Sequence, residues 1–528
     1  MMITDCMMKH KSCPLMPRNP ILPTRVLDLS PIDGQADPKL YLSHGEQQPY
    51  VALSYCWGGL QPFATRAENL DSYLQRIPME NLPQSVKDAI FMARKLGYRY
   101  LWVDSLCIIQ DSAEDKAKEI GGMAQIFMNS AITLSAACAS NCYQGFLNVS
   151  EDIQDRQWTA SQLSYRCPDG VLGNIYVYFT SFFQTAGQVP IHSRAWTYQE
   201  NLLSPRVISY YADRFEWKCP SARYSNDGLM AEHLQVQRNL GFDMHNRQFQ
   251  LHSIFLGSSE NVQPLSERTI EDLYQSWFKV VAEYSFGTLS LLEDKLPAIG
   301  GIASEYQRCL GDVYLAGLWK GRLVEGLLWY IAVPLFKGQV QPSTYRAPSW
   351  SWAAVEGMIG FWSKTEDLSM TIQIQHCEVT PVSSLNPFGE VSSGYLVLRG
   401  PLRRLGFNEA KDDFNGFWNR NKRSALGTMF PDRAGEPIEG ALDNWSNDSN
   451  EGSGQKYLWF LRFFTKTDEN GALNLGGLVL VKIRGMTFRR VGFFGIMPES
   501  STEPIQDQQR IERWKSIYTY EMQTITIL

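Results

Sequence analysis

Between Tyr50 and Ala136 the chain alternates short unbroken apolar runs with longer stretches in which apolar residues return every three or four positions. Tyr50-Val-Ala-Leu-Ser54 is a run of the first kind, and it leads through Tyr-Cys-Trp into Gly58-Gly59, the pattern of a buried strand ending in a loop. Residues 60–83 are polar and punctuated by Pro62, Pro78 and Pro83. Val86, Ala89, Ile90 and Ala93 then fall at i, i+3, i+4 and i+7, which predicts a helix with Gly97 just past its end. Tyr98–Asp104 reads as a second strand, ending in a carboxylate. Asp111-Ser-Ala-Glu114 has the form of a capping box with Asp111 as the cap, and the helix it opens places Ile120, Met123, Ala124 and Phe127 on one stripe. Ala131–Ala136 is a third strand. This order predicts an α/β fold with a parallel sheet. Ligands in such sheets gather beyond the carboxyl ends of the strands, here Ser54–Gly59 and Asp104–Gln110.

Outside this block the pattern is looser. Residues 1–48 are rich in proline and turn formers and read as an extended leader, before a first domain over 49–220. Within that domain 150–190 is ambiguous, Arg194–Leu203 is helical, and Val207–Cys219 alternates like a strand. Residues 221–268 form a polar linker or peripheral segment. The region 269–528 reads as helical to about 335 and β-rich after Pro348, with a polar, glycine-rich loop or insert at 408–456. Trp350-Ser-Trp352 is expected to pack the second domain onto the first.

With 44% hydrophobic and 20% charged residues in 528, the chain is an ordinary globular one, not disordered, collagen-like or coiled-coil. Forty-nine basic against 55 acidic residues give a net charge of −6, so no bulk positive field draws it to nucleic acid or anionic lipid. No apolar run approaches the roughly 20 residues of a membrane span, and the start lacks the apolar core of a signal peptide. Ten cysteines without repeating spacing are too sparse for a disulfide scaffold. The expected location is therefore cytoplasmic. Cys138-x3-Cys142 has no second pair and no nearby histidine, so no metal set is read.

Three blocks in order, YVALSYCWGG, RYLWVDSLCIIQDSAEDKAKEIGGMAQIF and SRAWTYQENLLSPRV, resemble the signature of the fungal HET (heterokaryon incompatibility) domain across residues 50–220. That resemblance implies an intracellular fungal protein linked to regulated cell death after non-self fusion, with some family members lying beside biosynthetic genes. Leu53-Ser-Tyr-Cys-Trp57, followed by an α/β unit with a glutamate on a later helix, is also similar to the TIR domain. This second resemblance implies a TIR-like or flavodoxin-like parallel sheet. Certain TIR domains cleave the nicotinamide–ribose bond of NAD with such a glutamate, whose counterpart here is Glu119.

Cleavage through an oxocarbenium-like state wants a carboxylate near the anomeric carbon. On the TIR analogy Glu119 is the catalytic group; the alternative is a solvated glutamate pairing with Lys116 or Lys118. Asp104 either positions ribose or water at the sheet's carboxyl edge or caps backbone N–H groups of the next loop. Gln110 opens the following helix and is a further substrate-binding candidate. Ser54, Tyr55, Trp57 and Gly58 end the first strand as substrate-binding candidates or as core packing. Trp196, Gln199, Glu200 and Leu203 share one helical face, where an amide and a carboxylate must hydrogen-bond on burial. Arg194 is their ready partner, in either a structural network or a substrate pocket. Cys107, in an apolar run, reads as an inert buried thiol.

The leading expectation is a HET-family cell-death protein that hydrolyses NAD or a related nucleotide as substrate and needs no cofactor. Its rivals are a death-signalling module acting by self-association or through a protein partner, and a biosynthetic enzyme, such as a cyclase, on the same scaffold.

Overall fold

The computed structural model describes residues 2–10, 13, 20–31, 36–147, 161–166, 170–177, 189–212, 214–225, 266–333, 344–362, 369–406, 428–431, 457–467, 473–496 and 520–528. The chain divides into two compact units, Met1–Val262 and Gln263–Leu528. Most of the 150–190, 221–268 and 408–456 segments lies outside the described residues.

The first unit begins with helix α1 (Met2–Lys9) and strands β1 (Arg25–Asp28), β2 (Lys39–Leu42) and β3 (Tyr50–Ser54). Helix α2 (Leu70–Gln75), helix α3 (Gln84–Lys95), strand β4 (Tyr100–Trp102), the short helix α4 (Asp104–Cys107), helix α5 (Ala113–Asn129) and strand β5 (Ile132–Ser135) follow. A separate hairpin, β6 (Ser161–Arg166) and β7 (Leu172–Val177), precedes helix α6 (Ala195–Leu203) and strands β8 (Val207–Tyr210), β9 (Phe215–Cys219) and β10 (Ala222–Ser225).

Eight of these strands form one sheet in the order β10-β9-β8-β5-β3-β4-β1-β2. Its centre, β4-β3-β5-β8, is parallel throughout. By chain order these four strands run 2-1-3-4, the doubly wound arrangement that opens a crevice beside the first strand. The sheet as a whole is mixed, because β1 and β2 pair antiparallel at one edge and β9 and β10 at the other. Two expectations are corrected here. Residues 1–48 are not an extended leader: Val26 and Leu27 are fully buried in β1, a strand too short for its apolar pair to stand out among the surrounding prolines. Val207–Cys219 is two strands around a tight turn, not one.

Local chemistry fixes the helices as far as their caps. Val86, Ala89, Ile90 and Ala93 are each 0% exposed, so the periodic stripe of α3 faces the sheet. The helix stops at Gly97, φ +81°, where Tyr98 N–H reaches Ala93 O and Gly97 N–H reaches Arg94 O, a Schellman closure. Helix α5 is capped by Ser112, not by Asp111: the Ser112 hydroxyl accepts Asp115 N–H at 3.2 Å, while Asp111 accepts Ala67 N–H at 3.0 Å. The right-handed crossover rule applied to this strand order sends α3 to one face of the sheet and α5 and α6, which pack on each other, to the other. Strand β3 is buried along its whole length between them.

The second unit carries helices α7 (Glu267–Tyr284) and α8 (Pro297–Leu310) and a large, mostly antiparallel sheet built on β11 (Val391–Gly406), β12 (Tyr457–Thr467), β13 (Leu473–Arg484) and β14 (Thr487–Ile496). Trp350 and Trp352 are fully buried inside this unit, where Trp352 Nε1 donates to Gly317 O and Trp350 O accepts from Trp329 Nε1. They are core residues of the second unit. Among the described residues no helix is long and apolar enough to cross a membrane.

Candidate functional site

Strand β3 delivers Ser54 and Tyr55 to its carboxyl end, at the reversal point of the sheet order, and β4 delivers Asp104 beside them. Asp104 opens α4, and its carboxylate accepts Ser105 N–H at 2.6 Å, so the turn explains one of its oxygens. The other oxygen accepts Trp57 Nε1 at 2.8 Å, tying two strand ends together. Tyr55 donates to Ser105 Oγ at 2.8 Å and is 3% exposed, which makes it part of the scaffold. Trp57 is half-buried. Gln110 Nε2 reaches the Asp104 and Ile108 carbonyls at 3.1 and 3.2 Å, locking the loop after α4.

The third sequence block closes over this edge. Arg194, immediately before α6, donates from Nη1 to Tyr55 O at 2.7 Å. One turn further along, Gln199 and Glu200 are 1% and 7% exposed, and Trp196 on the same helix is half-buried. Burial pushes the Glu200 carboxyl up to about 7, and the nearby Asp104 adds to this, while Ser54 and Arg194 pull it down. Asp104 is also raised by desolvation, against the pull of Trp57 and Arg194. Two carboxyls, both held above their ordinary range and both answering to Arg194, therefore share one neighbourhood.

Glu119 occupies a different one. It is 4% exposed rather than solvated, and its Oε1 lies 3.7 Å from Arg25 Nη2. Arg25, from β1, binds Asp115 through the same Nη2 at 2.5–2.6 Å and the Cys107 carbonyl through Nε at 2.7 Å. Burial raises the Glu119 carboxyl, and the groups acting on it are Thr24, Arg25, Asp115 and Lys118. The leading influences on Asp104 and Glu200 are different groups, although Cys107 lies within reach of both Glu119 and Asp104. Cys107 is fully buried, its thiol pushed up to about 12 by desolvation, as an unreactive thiol would be.

Gly58 serves the backbone: at φ +74° a side-chain carbon there would fall 2.0 Å from Asn141 Cβ, so only glycine lets the loop after β3 lie against the loop after β5. Gly59 is exposed, with open space where a side chain would stand. Two supporting residues escaped the sequence reading. Ser105 links Tyr55 to Asp104 and was signalled only by adjacency, while Gln61 braces the loop through the carbonyls of Trp57 and Gly59 at 3.0 and 3.1 Å with no sequence signal. Metal-ligating side chains gather elsewhere in the unit: Cys6, His10, Cys13 and Cys219 bring their ligand atoms within 4.8 Å of one another.

Residues 50–200 match the family model described as heterokaryon incompatibility protein (HET). No curated protein and no solved structure matches the chain.

Proposed function

On the premise that residues 50–200 form a HET domain, we propose that the protein acts in fungal non-self recognition by hydrolysing the N-glycosidic bond of NAD or a related nucleotide at the carboxyl end of β3. The observation that carries this reading is the meeting of Glu200, Asp104 and Arg194 there. The working carboxylate is Glu200 rather than Glu119, because Glu200 answers to Ser54 and Asp104 at the carboxyl ends of β3 and β4, whereas Glu119 is paired with Arg25 from the edge strand β1.

The chemistry suits such a group. As the bond between ribose C1′ and the pyridinium nitrogen breaks, its electron pair leaves with nicotinamide, which needs no acid because the ring was cationic. Ionised Glu200 stabilises the positive charge developing on the ribose and takes a proton from the water that adds to C1′. A carboxyl near 7 is poised for that proton at neutral pH. Arg194 supplies a cation for the pyrophosphate, and the half-buried Trp57 a surface for a base.

The test is nicotinamide release from NAD by the purified full chain, followed by chromatography, beside Glu200→Gln and Glu119→Gln. Release by the wild type, a loss of about 100-fold or more in Glu200→Gln, and retention in Glu119→Gln support the assignment. No release by the wild type, or equal release by Glu200→Gln, overturns it.

A further inference from the structure

Cys6 and His10 lie one helical turn apart, Cys6 within α1 and His10 immediately after its last residue, and Cys13 follows three residues later. Cys219 ends β9, more than two hundred residues away in sequence. The fold brings these four together: the His10 Nδ1 atom is 3.4 Å from Cys219 Sγ and 3.6 Å from Cys13 Sγ. All three sulfurs belong to buried free thiols. We propose that Cys6, His10, Cys13 and Cys219 form a structural zinc site that fastens α1 to the end of β9.

The spacing fits this metal. Zinc–sulfur bonds of about 2.3 Å and a zinc–nitrogen bond of about 2.0–2.1 Å, set at the tetrahedral angle, place each sulfur roughly 3.5 Å from the nitrogen. The two measured separations bracket that value. Three thiolates and an imidazole are a recurrent structural zinc set, and four protein ligands leave no open position for catalysis.

A second observation comes from the surroundings. Zinc with three thiolates and a neutral imidazole carries one net negative charge. Arg206, 1% exposed, points Nε at Cys6 Sγ from 3.3 Å. A buried guanidinium beside a neutral thiol gains little, whereas beside a zinc-bound thiolate it balances the complex. The Ser221 hydroxyl lies 3.3 Å from Cys13 Sγ, where it would donate to a zinc-bound thiolate. Binding balances as one zinc ion taken up, three Zn–S bonds and one Zn–N bond formed, and three thiol protons released to solvent.

The sequence carries the signal as Cys6-x3-His10-x2-Cys13, three ligands whose fourth member sits where no spacing rule finds it. The test is metal analysis and zinc K-edge X-ray absorption on the full chain purified under reducing conditions, with Cys6→Ser, Cys13→Ser and, as a control outside the cluster, Cys138→Ser. The expected result is about one zinc per chain with three sulfur neighbours and one nitrogen, lost in the first two variants and kept in the control. A folded wild-type chain without zinc, a zinc shell of different composition, or a disulfide among the three cysteines overturns the proposal. Because the absorption spectrum is read on the wild type, the answer stands even where a variant fails to fold.

Discussion

Glu200 ties the proposed chemistry to a measurable property of the folded chain. Its carboxyl rises from an ordinary 4.5 to about 7 because the protein strips it of water. Ionising it in the folded rather than the unfolded chain therefore costs about 3 kcal/mol. Between pH 4.5 and 7 the folded state holds a proton that the unfolded state has released, so the contribution to stability falls as pH rises through this window and levels off above 7. Between pH 5 and pH 8 the loss amounts to about 2.5 kcal/mol. Glu200→Gln keeps the shape and removes the titration. Urea unfolding of both proteins at pH 5 and pH 8 isolates the titration of the Glu200–Asp104 pair, since titrating groups away from the site cancel in the double difference. The variant should gain about 2.5 kcal/mol on the wild type between the two conditions. A difference that does not change with pH, or that runs the other way, would refute the claim that burial raises this carboxyl.

Other perturbations test the frame around the site. Gly58→Ala combines a left-handed φ with a backbone clash at Asn141 and should cost about 1–3 kcal/mol in urea unfolding while loosening Trp57; wild-type stability would show that the two loops do not need their close approach. Arg25→Leu strands the buried Glu119 without its cation and should cost about 3–5 kcal/mol, a loss that Glu119→Gln in the same chain partly restores. A cost under about 1 kcal/mol would mean that the Arg25 cluster is not a buried ionic core.

The parallel centre of the sheet was legible because its signals are local. The α3 stripe, the Gly97 closure and the unbroken run of β3 each lie within a few residues. The antiparallel edge formed by β1 and β2 was not legible. Strands β1 and β2 hold four residues each, and their burial depends on partners that only the folded sheet supplies. That omission hid more than an edge. Without β1 there was no Arg25, so Glu119 read as either solvated or catalytic, when its burial is matched by a cation from the segment taken for a leader. The Asp111 cap was misread because Ser112 offers the same geometry one residue later, and Asp111 is occupied by a backbone N–H from another loop. The grouping of Asp104 with Glu200 joins residues nearly a hundred positions apart, which no periodicity reveals. Their helix and strand ends were readable; their meeting depends on the order of strands in the sheet.

The most direct measurement is a crystal structure of the full chain in complex with NAD, using Glu200→Gln to prevent turnover. The account predicts ribose C1′ within about 3.5 Å of residue 200, with the pyrophosphate against Arg194. Nucleotide bound beside Glu119, or bound away from the carboxyl end of β3, would contradict it.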